Sequence, residues 1–155
     1  MPSIRNGSRF WGMQVVSIHP VARGRPLKLP LMSSSAPAGF PSPADDFIDK
    51  RLDLTAHLVR NPDATFYVRA KGDSMTEAGI VDGAILVVDR SIEATDGRVV
   101  VAVVDGNLAV KRFRRKGRRV WLESAASDPE RYKPIEVTDP DAVVWGVVLH
   151  AVNPV

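Results

Sequence analysis

The chain contains no cysteine. That removes a thiol nucleophile, a disulfide framework and the usual structural zinc sites from consideration. Histidine is scarce: His19, His57 and His150 are all there is. A Ser-His-Asp triad would have to recruit His57 or His150, and neither sits in a supporting motif. Gly-x-Ser-x-Gly is absent, because Thr76 follows Met75 where a glycine would be needed. His-Glu-x-x-His, the Walker loop and the dinucleotide fingerprint are also missing. No apolar run approaches the ~20 residues of a membrane helix. The first 35 residues lack the ~7–15-residue apolar core of a signal peptide. These absences set the expectation of a soluble, cytoplasmic protein with no membrane contact, no metal and no cofactor.

What is present suits one domain. The chain has 155 residues and a formal net charge of +3, enough length to bury a core without metal or disulfide staples. Much of the basic excess is one run, Lys111-Arg112-Phe113-Arg114-Arg115-Lys116-Gly117-Arg118-Arg119. Such a cluster contacts phosphates in some proteins and is a solvated hairpin tip in most. The hairpin tip is the expectation, with direct DNA contact left open.

Residues 1–37 have the character of an arm. Pro2, Pro20, Pro26, Pro30, Pro37 and Ser33-Ser34-Ser35 interrupt them, and apolar periodicity is weak. Val15-Val16-Ser17-Ile18 is a candidate edge strand, and Met13 is an alternative start to Met1. Ala36-Pro37-Ala38-Gly39-Phe40-Pro41-Ser42-Pro43 follows. Its prolines prevent a helix and favour an extended backbone. Ala38-Gly39 places two small residues side by side there, as a segment lying in a protease cleft would; on composition alone a plain linker is the expectation.

Ser42-Pro43-Ala44-Asp45-Asp46 has the form of a helix start, with Phe47, Ile48, Leu52 and Leu54 as apolar contacts. Capping accounts for Asp45 and Asp46. Asp53 is expected to cap a second short helix ending before Asn61-Pro62. From Thr65 the period becomes that of strands. They are expected over residues 65–70, 84–89, 99–104, 108–114, 120–122, 135–137 and 143–152, with turns at Asp82-Gly83, Asp105-Gly106 and Lys116-Gly117. The fold class is therefore mainly β, compact and mostly antiparallel, with one or two short helices.

Two polar residues stand out. The first strand runs into Lys71-Gly72-Asp73-Ser74-Met75, where Gly72 permits a turn and Ser74 stands at its mouth. Lys111 lies in Leu108-Ala109-Val110-Lys111-Arg112-Phe113. Alternation puts it on one face with Ala109 and Phe113. Burial beside a methyl and a phenyl lowers a lysine pKa, and a neutral lysine can take the proton of a serine hydroxyl. Ser74 and Lys111 are the candidate catalytic pair, with the backbone N–H groups of Asp73 and Ser74 as candidate oxyanion donors. A snorkelling lysine and an ordinary turn serine remain the alternative on chemistry alone.

Several motifs in order then matter together: Gly39-Phe40-Pro41-Ser42-Pro43-Ala44, Arg51-Leu52-Asp53-Leu54, Gly72-Asp73-Ser74-Met75, Gly79-Ile80, Asp82-Gly83, Asp89, Val103-Val104-Asp105-Gly106, Val110-Lys111 and Gly146-Val147-Val148-Leu149-His150. By these the chain resembles the UmuD group of the LexA-like self-cleaving serine peptidases, from about Ala38 to His150. The resemblance implies Ser74 as nucleophile, Lys111 as its general base and Ala38-Gly39 as the self-cleavage bond. It divides the chain into residues 1–38, a mobile arm removed by cleavage, and 39–155, the β-rich peptidase domain. It further implies a homodimer, cleavage stimulated by RecA filaments on single-stranded DNA, and a shortened form that joins a UmuC-type translesion polymerase in SOS mutagenesis. Ala38-Gly39 matches the LexA-like pair rather than the Cys-Gly common in UmuD-type proteins, and the basic run is stronger than the group's. A LexA-type repressor is not expected, because 37 residues without helical periodicity are too few for a helix-turn-helix domain. The competing readings are a peptidase-inactive polymerase-binding module and a basic nucleic-acid-binding β protein using residues 111–119.

Overall fold

A computed structural model describes residues 12–32, 48–128 and 130–155. They form two compact units, one of residues 22–60 and one joining residues 12–21 to Asn61–Val155.

The larger unit is a closed, antiparallel six-stranded barrel. Its walls are β1 (Gln14–Pro20), β4 (Thr65–Lys71), β5 (Ile85–Asp89), β10 (Val144–Val152), β6 (Val99–Val104) and β7 (Asn107–Lys116), in that spatial order. Closure comes from β1. It pairs with β4 along its length and meets β7 where Gln14 faces Ala109. Val15-Val16-Ser17-Ile18 is thus a strand, as expected, but a wall strand with neighbours on both sides. From β7 the sheet continues outward through β8 (Arg119–Glu123) to β9 (Ile135–Val137). A short helix, α2 (Pro140–Val143), precedes β10.

The sequence accounts for the strands around the site. Residues 100–102, in the middle of β6, are buried on both faces, which is why that strand is an unbroken run of valine and alanine. Asp105 (φ 50°) and Gly106 (φ 79°) both take the left-handed conformation of a two-residue hairpin turn, setting Val99 against Arg112 and Val104 against Asn107. Two apolar clusters result. Met13, Val68, Met75, Leu86, Val101 and Val110 belong to the barrel core. Val100, Phe113, Val120, Leu122 and Val147 form a second cluster with side chains of β6, β7, β8 and β10.

The smaller unit holds a two-stranded ladder, β2 (Lys28–Met32) with β3 (Ile48–Asp53), and the helix α1 (Leu54–Leu58). Asp53 caps α1 as expected, its carboxylate accepting from the Ala56 amide at 3.1 Å. Residues 48–53 are a correction. Ile48 and Leu52 fit a helical spacing and also one face of a strand, and the ladder with β2, in which Leu52 faces Leu29, decides for the strand. The helix start expected at Ser42 and the Ala38-Gly39 bond lie outside the described residues.

Candidate active site

β4 ends at Lys71, and Gly72 turns the chain at φ 124°, a backbone conformation that L side chains rarely adopt. A Cβ there would stand 3.0 Å from the Cα of Met13, so the β1 backbone closes against this turn. The Gly72 amide donates to Asp82 Oδ1 at 2.8 Å, which gives the Asp82-Gly83 motif a bracing role. Ser74 follows, with no exposed surface, and Met75 beside it is equally buried in the barrel core. The Ser74 carbonyl accepts from the Ala125 amide at 2.9 Å, and the Glu77 amide donates to the Ala125 carbonyl at 2.8 Å. The Ser74 turn is thereby tied to the stretch that leaves β8.

Lys111 lies mid-way along β7, facing Val100 of β6 in the ladder. It is 7% exposed, and burial holds its amine below the ordinary lysine pKa. Its Nζ donates to Ser124 Oγ at 2.9 Å. A small cleft of about 30 Å³ opens beside it, lined in part by Gly12, Gln14, Leu108, Ala109 and Ile135.

Ser74 and Lys111 converge on one spot, the backbone at Gly12 and Met13. A Cβ placed on Gly12 would stand 3.0 Å from Lys111 Nζ and 3.7 Å from Ser74 Oγ. The Met13 amide donates to Ser74 Oγ at 2.6 Å, and the Met13 carbonyl accepts from the Val110 amide at 2.9 Å. Among the described residues, the hydroxyl of Ser74 is engaged by Met13 and the amine of Lys111 by Ser124. Both side chains reach the backbone just before β1, Lys111 near Gly12 and Ser74 at the Met13 amide. Burial at this site shifts the Lys111 amine toward its neutral form.

A model of the family described as Peptidase S24-like matches residues 30–149. The chain belongs to this family. It is 45% identical over 103 residues to Protein SamA of Salmonella typhimurium, covering 66% of this chain and 74% of that one. It is 38% identical to Protein ImpA of Escherichia coli over 125 residues, 80% of this chain and 83% of that protein. The LexA repressor of Shewanella piezotolerans is 40% identical over 111 residues, 72% of this chain and 52% of the repressor. The resemblance to UmuD-like, LexA-related peptidases is borne out, and so is the mainly β fold. In this S24-like chain the strand β1 and the Gly12-Met13 backbone precede the matched region.

Other residues of this S24-like peptidase fall into place around that centre. The exposed Asp73 carboxylate accepts from the Tyr132 hydroxyl at 2.7 Å and lies 3.7 Å from Arg131. The Tyr132 bond, then the Arg131 charge, holds that carboxyl below its usual pKa, while burial and then the Asp73 bond push the tyrosine up. The amides of Asp73 and Ser74 occupy the turn between β4 and Met75. Among the described residues no cluster of metal-ligating side chains occurs, and no helix is long and apolar enough to cross a membrane.

The basic run is divided. Lys111 is buried, Arg112 donates to the Gly97 carbonyl at 2.9 Å, and Arg114 Nε meets Glu123 at 2.6 Å. Arg119 pairs with Glu136 and lies over Trp121. Arg115, Lys116 and Arg118 are exposed at the β7–β8 hairpin tip, as expected for a solvated turn. Gly12, Met13, Ser124 and Tyr132 carried no motif signal in the sequence. Only the pairing of distant segments brings them to the site.

Proposed function

We propose that this S24-like chain cuts itself between Ala38 and Gly39, with Ser74 as nucleophile and Lys111 as general base, in SOS mutagenesis. The observation that carries this reading is the convergence of a fully buried serine and a buried, pKa-lowered lysine on one stretch of backbone, Gly12-Met13. Neutral Lys111 takes the Ser74 proton as Oγ attacks the Ala38 carbonyl carbon. The oxyanion is held by the amides of Asp73 and Ser74. Lys111 then gives its proton to the departing Gly39 amine, and water releases Ala38 from the serine ester.

The Met13 amide must release Ser74 before a substrate strand can enter, because it holds the Ser74 hydroxyl oxygen at 2.6 Å. The resting arrangement is therefore a closed one. Cutting after Ala38 leaves β1 held to the barrel without a covalent link, by its pairing with β4 and β7 and by the packing of Met13, Val15 and Ile18. A RecA filament on single-stranded DNA promotes the exchange of strands in the cleft. The shortened homodimer then serves a UmuC-type translesion polymerase in the cytoplasm.

Intact mass of the purified protein tests the reading, with and without RecA, single-stranded DNA and a nucleotide triphosphate. The expected result is one product beginning at Gly39, absent in Ser74→Ala. A chain that stays whole under every condition while still binding a polymerase would replace this reading with the peptidase-inactive binding module.

A further inference from the structure

Ser124 stands where β8 has ended and the chain turns away from the sheet. Its side chain and its neighbour's backbone reach both members of the candidate pair. Ser124 Oγ accepts from Lys111 Nζ at 2.9 Å. One residue on, the Ala125 amide donates to the Ser74 carbonyl at 2.9 Å, and the Ala125 carbonyl accepts from Glu77 at 2.8 Å. The two-residue stretch 124–125 is thus a second piece of chain, beside Met13, that joins the lysine strand to the serine turn. At the serine turn itself, the Asp73 carboxylate accepts from the Tyr132 hydroxyl at 2.7 Å.

A neutral lysine amine has two N–H donors and one lone pair, and it spins freely about its last bond unless something fixes it. A base that must accept a proton from one direction gains from having a donor fixed in another. Within this site Ser124 supplies such an acceptor. The charged groups near Lys111 on the adjoining elements are engaged elsewhere. On β8, Glu123 holds Arg114 at 2.6 Å and the Trp121 ring nitrogen at 3.1 Å. On β7, Arg112 holds the Gly97 carbonyl, and at the serine turn Asp73 holds Tyr132. Facing strand β6 offers only valine and alanine. Among the described residues, no carboxylate is paired with the amine.

We propose that Ser124 is a positioning residue for the Ser74/Lys111 chemistry, fixing one N–H of Lys111 so that the lone pair of the amine is presented to Ser74. This inference rests on Lys111 as the base. It adds a third side chain to the site, one that neither touches the substrate nor belongs to the motifs Gly72-Asp73-Ser74-Met75 and Val110-Lys111. Because a hydroxyl oxygen facing an amine favours its protonated form, Ser124 also raises the Lys111 pKa against the opposing effect of burial. Its loss therefore has two separable consequences, a worse orientation of the neutral base and a larger neutral fraction at a given pH.

The test compares Ser124→Ala and Ser124→Thr with the parent in the full chain. One arm follows the first-order rate of self-cleavage from neutral to alkaline pH. Ser124→Ala is expected to lower the plateau about tenfold, as a misplaced base does, and to move the midpoint to lower pH. Ser124→Thr, which keeps the hydroxyl, is expected to restore both. The second arm titrates Lys111 by NMR of the carbon next to its amine, in Ser74→Ala protein that cannot cut. There Ser124→Ala is expected to lower the Lys111 midpoint and Ser124→Thr to leave it near the parent value. This arm stands even if no self-cleavage occurs, so it separates failure of the positioning role from failure of the peptidase reading. An unchanged Lys111 midpoint in Ser124→Ala would overturn the inference, and so would a fallen plateau that threonine does not rescue.

Discussion

Lys111 and Lys116 belong to the same strand and occupy opposite environments. Lys111 is 7% exposed, sits beside Val110 and Phe113, both fully or almost fully buried, and has an amine held by a serine hydroxyl. Lys116 is exposed at the hairpin tip, between Arg115 and Gly117. In sequence they are members of one basic run. In the fold, one end of β7 is a barrel wall and the other projects from it. Chemistry follows from that division. A lysine in water keeps its proton and its hydration, whereas a lysine taken from water with no carboxylate beside it surrenders the proton readily. The charge count of a run says nothing about which of its members will act as a base.

Substitutions break this comparison at its strongest point. Lys111→Gln is expected to slow self-cleavage by at least ~10³-fold, the scale of losing a group that acts as part of a catalytic unit. Lys116→Gln is expected to change the rate by less than about twofold, as an exposed charge outside the site should. Quantifying the fragments at alkaline pH reads both.

A smaller effect concerns stability, and its sign is fixed by linkage. Lys111 has a lowered pKa when folded, so between that value and the ordinary lysine value near ~10.4 the unfolded chain binds more protons. Burying the amine therefore costs stability at neutral pH, and the cost fades as pH rises through the folded pKa. Lys111→Met is expected to raise the melting temperature at pH 7 by roughly 2–4 °C, the response to about 1 kcal/mol in a chain of this length. That advantage should shrink toward pH ~10. Thermal unfolding at the two pH values checks it, and Lys116→Met should show neither behaviour.

Much of the barrel was legible because its strands carry local signals. The valine run of β6, the Asp105-Gly106 turn and the alternation along β7 each specify a strand without help from the rest of the chain. Ser74 and Lys111 were legible too, since a glycine turn with a serine and a lysine between apolar neighbours have local chemical meaning. The occupant of the site was not. Gln14–Pro20 ends in proline and is followed by arginines and prolines, and only its pairing with β4 and β7 makes it a wall. Gly12, Met13 and Ser124 gain their roles from contacts across sequence separations that no local pattern encodes. Residues 48–53 misled for a related reason: Ile48 and Leu52 satisfy both periods, and a partner strand settles the choice.

The least severe test addresses the exposed end of β7. Arg115→Gln, Lys116→Gln and Arg118→Gln together are expected to leave the melting temperature within about 2 °C and the cleavage rate within about twofold, because they remove exposed charge and no contact within the site. A larger loss of cleavage would mean that the hairpin tip takes part in presenting the arm, and the contrast between the two ends of the strand would have to be redrawn.

The central claim is that buried, neutral Lys111 is the base for Ser74. The pH dependence of self-cleavage without RecA tests it most directly, followed by intact mass on the full chain. The rate is expected to climb about tenfold per pH unit below the folded Lys111 pKa and then to level, because only the neutral amine can accept the proton. The product should begin at Gly39 throughout. A rate that is flat across the alkaline range, or that survives in Lys111→Gln, would contradict it.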